Sequence, residues 1–376
     1  MKLVSCAAIA AILAACAGLP APDLDLQVRH LMQRENVQGL AIAIIDDGQV
    51  RRVRAFGKRD AARGLPLDTD TVMYGASLTK AAFAYMVLQL VDENLLNLDA
   101  SIATILPRPL PTYHARDHDY RDLAGDERWR LITPRMLLNH ASGFANFRYI
   151  EPDGKLRFHF TPGTRYAYSG EGFQLMQVVL EQGLGLDVGK EMQARVFDRF
   201  GMRRTSMTWR PDFAANLAHG YMADGKLEEH DERSRVRAAG SMDTTIADQA
   251  NLWAGIVRGE GLSPRARAEL VRPQLAITSP RQFPTLAPGV GEPASAQLSA
   301  GLGLVTYREA DGLAWFKGGH NDSTGNMVIC QEGRRRCLVM LANDVRAERI
   351  YPDIARIVLG EIRLPWQWEY PAVPRA

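Results

Sequence analysis

Strand-like stretches lie toward both ends of this chain and are missing from its middle, which limits the folds open to it. Gly39-Leu40-Ala41-Ile42-Ala43-Ile44-Ile45 reads as a buried strand and Asp46-Asp47-Gly48 as a turn. Residues 50–56 then read as a returning strand with charges interleaved. Strands resume after about residue 298, at 303–307, 313–317 and 327–341, the last being two apolar runs around a polar, Gly-containing turn. Between about 101 and 244 strand alternation is absent and helix starts recur. The clearest is Thr133-Pro134, an N-cap followed by proline at the first helical position. A further helix is expected over about 347–361. These signals predict a discontinuous α/β unit, 26–100 plus 245–365, with a mainly helical unit, 101–244, inserted, and a tail over 366–376. At 376 residues the chain is long enough for both units to hold substantial cores. Residues 107–130 form a long connection whose aromatic and charged content suits a lid.

The first sixteen residues stand apart. Met1-Lys2 precedes an apolar run over 3–15, too short to span a bilayer as a stable helix and fitting the apolar region of a secretory signal. It ends in Leu13-Ala14-Ala15-Cys16, which resembles the lipobox of bacterial lipoproteins. The resemblance implies a signal peptide over 1–16, lipid on Cys16 and membrane attachment through that anchor. Ala17 after the cysteine implies an outer-membrane lipoprotein facing the periplasm. Residues 17–25, rich in Ala, Pro and Asp, read as a short tether. Cys6 would leave with the signal, whereas Cys330 and Cys337 flank the last hairpin turn. In an oxidising compartment two readings stay open for them, a cross-strand disulfide or two buried free thiols.

Ser77-Leu78-Thr79-Lys80 puts a hydroxyl and an amine one helical turn apart, where i and i+3 share a face. The nearly all-apolar run over 81–91 reads as a buried helix, with the pair at its mouth. Serine is a weak nucleophile until a base takes its proton. Lysine can be that base only if burial or local charge keeps it neutral.

Four more stretches follow in order: His140-Ala141-Ser142-Gly143, Phe160 through Tyr168-Ser169-Gly170, Ala239-Gly240-Ser241-Met242-Asp243-Thr244-Thr245, and Lys317-Gly318-Gly319-His320-Asn321-Asp322-Ser323. Together with Ser77-x-x-Lys80 they resemble the class C β-lactamase and penicillin-binding-protein-like serine hydrolase family over roughly residues 30–360. The resemblance implies an α+β fold, an antiparallel β-sheet flanked by helices as in β-lactamases and transpeptidases, with an inserted mostly helical domain. It implies that Ser77 is acylated and that Tyr168, from a Tyr-x-Asn motif, shares proton transfer with Lys80. Gly170 stands where the asparagine is expected. For the Lys-Thr-Gly or His-x-Gly strand, His320-Asn321-Asp322 fits best and Lys317-Gly318-Gly319 is the second register; the threonine is missing from both. Tyr168 would act as a base only if positive charge stabilised its phenolate. Two oxyanion donors are expected, the Ser77 N–H and an N–H after His320 near Ser323, with Asn321 and Lys317 on the substrate side. His140 is assigned a structural role, and Ser142 lies outside the expected site.

The departures bear on substrate. β-Lactams and D-Ala-D-Ala stems carry a carboxylate, and here the strand offers His320, mostly neutral near pH 7 if unperturbed, beside the acidic Asp322. An ester or amide substrate without that carboxylate is therefore expected, small-molecule or peptide. The alternatives are a penicillin-binding D,D-peptidase or weak β-lactamase and, from another class, a catalytically silent module that senses cell wall. Composition is ordinary for a globular enzyme, 46% hydrophobic and 23% charged, and a net charge of +2 gives no reason to expect nucleic acid. Neither a Gly-x-Ser-x-Gly elbow nor a His-Glu-x-x-His or paired Cys-x-x-Cys motif is present, so no metal or cofactor is expected. His114, His118 and Asp119 are expected to be solvated loop side chains.

Overall fold

Alternation along the strands sets the layers. In Gly39–Asp46 (β1), Ala41, Ala43 and Ile45 enter one core while Leu40 and Ile42 enter another, so both faces of the strand are covered. The computed structural model describes residues 23–115, 118–286 and 297–370. After β1 come Gln49–Asp60 (β2), Leu65–Pro66 (β3), Leu275–Ala276 (β4), Ser299–Ala300 (β5), Val305–Glu309 (β6), Gly312–His320 (β7), Gly325–Gln331 (β8) and Arg336–Ala342 (β9). They form a nine-stranded sheet in the order β4-β5-β6-β7-β8-β9-β1-β2-β3, antiparallel throughout. The early and late strands join where β1 pairs with β9, from Leu40 opposite Ala342 to Ile45 opposite Cys337.

Helices cover both faces. Leu24–Glu35 (α1) contributes Val28 and Met32 to the core that holds Leu40, Phe316 and Met340. The opposite face packs on Leu78–Asp92 (α2), whose residues Leu78 to Leu90 are all buried. Later come Pro134–Leu138 (α3), Gly170–Val178 (α4), Ile246–Arg258 (α5), Tyr351–Leu359 (α6) and Trp366–Glu369 (α7). Thr133 accepts from the Met136 N–H at 3.3 Å, so the N-cap read from Thr133-Pro134 is made. α5 packs against β1, β2 and β9 on the sheet face that α2 also covers, and α6 packs on the α1 side.

Several sequence expectations change. α1 begins at Leu24, capped by Asp23, so the last residues assigned to the 17–25 tether are helical. The signal and lipidation readings, Cys6 and Cys16 included, lie outside the described residues. Residues 101–244 contain short helices, helical turns and two-residue hairpins, and their apolar side chains share one core with α2 and the sheet. From the stretch expected to suit a lid, Leu110, Tyr113, Tyr120, Leu123 and Trp129 are buried in that core, while Asp119 and Asp122 line the cleft. Its aromatic residues are anchors rather than a cover. Cys330 and Cys337 are paired in register and joined by a disulfide, with Cα atoms 4.2 Å apart. Within the stretch assigned as a tail, the described residues are packed: α7 buries Trp366, Trp368 and Glu369.

Candidate active site

Ser77 sits at the N-cap of α2, after Ala76, whose φ of 46° puts a non-glycine residue in the left-handed region. Such backbone strain is held only where surrounding contacts fix it. Here the Thr79 hydroxyl donates to the Ala76 carbonyl at 2.6 Å. The Ser77 hydroxyl makes no capping bond to the helix. It faces Lys80 instead, whose Nζ is 3.1 Å from Ser77 Oγ and donates to the Ala239 carbonyl at 2.5 Å. Burial drives the Lys80 pKa well below its ordinary value, and the Lys317 charge lowers it further. The charged form is thus disfavoured, and the neutral amine is the form that can take a proton from Ser77. The Ala239–Met242 stretch braces this turn: Gly75 N–H donates to the Met242 carbonyl at 2.8 Å and Met242 N–H to Thr79 Oγ1 at 3.2 Å.

Tyr168 precedes α4 and is buried with Lys80 Nζ 5.0 Å and Lys317 Nζ 5.1 Å from its ring centre. Lys317 Nζ lies 3.4 Å from its hydroxyl. Burial raises the Tyr168 pKa, and a hydrogen bond with Ser77 offsets this only in part. Burial thus favours the protonated phenol and works against the positive charge that a phenolate base would need. His140 stacks on Tyr168 with ring centres 4.3 Å apart, and its Nδ1 accepts the Ser169 N–H at 3.1 Å. Burial, then the charges of Lys80 and Lys317, push the His140 pKa well down. It is a neutral packing partner that orients Tyr168.

The opposite wall is the end of β7. β6 pairs with β7 only as far as Phe316, so residues 317–320 are open on that edge. The Gly318 carbonyl accepts from Lys317 Nζ at 2.5 Å. Strand alternation turns Lys317 and Gly319 toward α2, and Gly318 and His320 toward α7. Lys317, the second register, is thus the residue beside Tyr168, which corrects the preference for His320. Burial lowers the Lys317 pKa to about 8, with Glu369 acting against the fall. His320 instead holds Glu348 Oε1 with Nδ1 at 3.0 Å and packs near Phe283 and Tyr370. Burial is the largest single influence and lowers the His320 pKa, but the hydrogen bond to Glu348 and the charges of Glu348 and Glu369 together make the net direction up.

The residues beyond His320 close a turn. Asn321 Oδ1 accepts the Ser323 N–H at 3.1 Å, and Asn321 N–H donates to the Thr324 carbonyl at 3.1 Å. The Ser323 N–H is thereby committed to the turn and is unavailable as an oxyanion donor, and Asn321 spends its carbonyl oxygen there. Gly319 has a different task. A Cβ built on it would stand 2.9 Å from Leu78 N and 3.0 Å from Ser77 N, so only glycine lets the strand approach the nucleophile this closely. Gly319→Ala is expected to lower kcat/KM by about 10²-fold through misplacement of the reacting groups, with the folded state retained. Steady-state kinetics beside a thermal melt checks both parts. Ser77, Lys80, Tyr168 and residues 318–324 line one open cleft of 1560 Å³. Among the described residues no group of His, Cys, Asp and Glu could hold a metal, so His114, His118 and Asp119 make no such site.

Residues 24–360 match the family described as Beta-lactamase. The chain belongs to the beta-lactamase family. It is 25% identical to Penicillin-binding protein 4 of Amycolatopsis lactamdurans across 92% of both chains. It is 28% identical to a D-aminopeptidase of Cereibacter sphaeroides, a match spanning 53% of this chain and 39% of that relative. Its fold superposes on D-alanine carboxypeptidase AmpC from Burkholderia cenocepacia with a TM-score of 0.70 at 20% identity, covering 90% of this chain and 98% of the other.

Within this beta-lactamase family fold, the two departures noted in the sequence have physical causes. At Gly170 a Cβ would overlap the Phe147 ring, so no asparagine side chain fits there. Asn146 Oδ1 accepts the Gly170 N–H at 3.0 Å, and Asn146 and Phe147 both line the cleft. At Gly318 a Cβ would overlap Glu369 Oε1, so the missing threonine's space holds a carboxylate from α7. Glu369 and Glu348 both line the cleft and were absent from the sequence reading. The available signal was the composition of the tail, where Trp366-Gln367-Trp368-Glu369-Tyr370 is too aromatic for a solvated end.

Proposed function

We propose that this protein is a serine hydrolase that acts through a Ser77 acyl-enzyme on an ester or amide substrate. The observation that carries the proposal is the buried Lys80 amine, its charged form disfavoured, 3.1 Å from a Ser77 hydroxyl that caps nothing. Ser77 Oγ attacks the acyl carbon as Lys80 takes its proton, and the proton then passes to the leaving oxygen or nitrogen through Lys80 and the Tyr168 hydroxyl. Water, deprotonated by the same pair, releases the acyl group and regenerates Ser77. The first oxyanion donor is the Ser77 N–H, which has no partner among the described backbone hydrogen bonds. The second is the His320 N–H, which alternation points to the same open edge as the Gly318 carbonyl. This replaces the donor expected near Ser323.

The second reading, a penicillin-binding D,D-peptidase or weak β-lactamase, is favoured by the Lys317 cation beside Tyr168 and by the likeness to Penicillin-binding protein 4. A D-aminopeptidase among the relatives supports amide substrates. Export and anchoring through Cys16 complete the proposal, supported by the signal-like N-terminus and by a disulfide that suits an oxidising compartment. Labelling with a fluorophosphonate and with fluorescent penicillin tests the enzyme readings together. Rapid phosphonate labelling of Ser77 with little penicillin uptake is the expected result. Stable penicillin labelling would favour the second reading, and a folded protein that took up neither probe would be a silent binding module.

A further inference from the structure

The wall of the cleft beside Lys317 is built on a carboxylate. Glu369 packs so closely on Gly318 that its Oε1 occupies the volume of a side chain at that position. The group is nearly fully buried yet lines the cleft. Its other oxygen, Oε2, accepts from Gln282 Nε2, and Gln282 Oε1 accepts from the Tyr166 hydroxyl at 2.7 Å. The carboxylate is therefore held in place by a buried chain of polar groups. A second buried acid, Glu348, lies beneath His320 on the same side of β7. Burial raises the pKa of both acids, while the nearby charges of Lys317 and His320 work against that rise at Glu369 and His320 alone does so at Glu348. The positive charge at this end of β7 is thus already matched, and none is left over for an anion. The free edge of β7, with the Gly318 carbonyl and the glycines on either side of it, runs directly between this wall and Ser77.

We infer that Glu369 is a specificity-determining residue that excludes acyl substrates bearing a carboxylate next to the reacting group and admits neutral or cationic ones. This rests on the Ser77 acyl-enzyme reading and adds the substrate charge class to it. A substrate carboxylate entering this partly dry cleft would lose water and find both cations already matched by acids, so it would be left unpaired, which discriminates strongly against it. Glu369 lines the cleft without taking part in proton transfer.

The test uses two p-nitrophenyl esters of equal chain length, one ending in a methyl group and the other in a carboxylate. The unaltered protein is expected to favour the methyl ester by at least about tenfold in kcat/KM, and Glu369→Gln to shrink that ratio by about tenfold. A ratio taken on one preparation cancels any loss of folded protein. Glu348→Gln provides a second variant, with a smaller shift in the same direction because His320 partners that acid. Equal turnover of both esters by the unaltered protein, or a ratio unmoved in Glu369→Gln, overturns the inference while Ser77 labelling stands. Failure of Ser77 to label in the unaltered protein would instead remove the reading beneath it.

Discussion

Ser77→Ala is expected to lower hydrolysis by on the order of 10⁴–10⁶-fold, the scale seen when a nucleophile is removed from a serine hydrolase. Intact-protein mass spectrometry should then show no acyl or phosphonyl adduct under conditions that label the unaltered protein fully. Stability should barely change. The Ser77 hydroxyl makes no capping bond to α2, so its removal leaves no helix donor unpaired. The turn that carries it is held by Thr79 and Met242 rather than by the serine itself. This separates a lost reaction from a lost fold. An adduct persisting in the variant would mean that another nucleophile takes the probe.

Lys80→Met is expected to cost about 10²–10⁴-fold in kcat/KM, the usual worth of a positioned base. It should also alter the shape of the pH profile. In the unaltered protein Lys80 is active as the neutral amine, and its pKa is depressed by burial and then by Lys317. Activity should therefore fall as pH drops through that lowered value and Lys80 gains a proton. On the alkaline side Lys317, with a pKa of about 8, loses the charge that polarises the Tyr168 hydroxyl. The expected profile is a bell with its alkaline limb near pH 8. In Lys80→Met the acid limb should disappear while the alkaline limb remains. A buffer series of kcat/KM values for both proteins checks this, and an acid limb that survives the substitution would assign the base elsewhere. The methionine removes a buried amine but leaves the Ala239 carbonyl without its donor, so stability should change little, which a thermal melt checks.

Much of the fold was legible because alternation and burial are local. The run 39–45, the 327–341 hairpin and the apolar helix after Ser77 could be read from side-chain periods alone, and β1, the β8–β9 hairpin and α2 follow them. Ser77 and Lys80 were legible for the same reason, since one helical turn fixes their separation. The choice between Lys317 and His320 was not. Both lie on one strand, and what decides between them is which face of β7 meets α2, a property of sheet register. Glu369 was less legible still. It reaches the cleft through the docking of α7, and what marked it in sequence was the aromatic residues around it, not the acid. Gly170 and Gly318 looked like losses from a motif. In the structure each makes room for something that replaces it, the Phe147 ring in one case and the Glu369 carboxylate in the other.

The short helix Trp366–Glu369 has a consequence for how this site comes into being. Ser77, Lys80 and Tyr168 belong to the first half of the chain, Lys317 and Glu348 follow much later, and Glu369 arrives last, with α7. The nucleophile and its base are thus made early in synthesis, and the cleft wall that discriminates is completed only with the last described helix. A few residues near the C-terminal side, anchored by two tryptophans and a tyrosine, can change what the protein accepts without altering the nucleophile. Selection acting on that short segment could redirect an old reaction to new compounds.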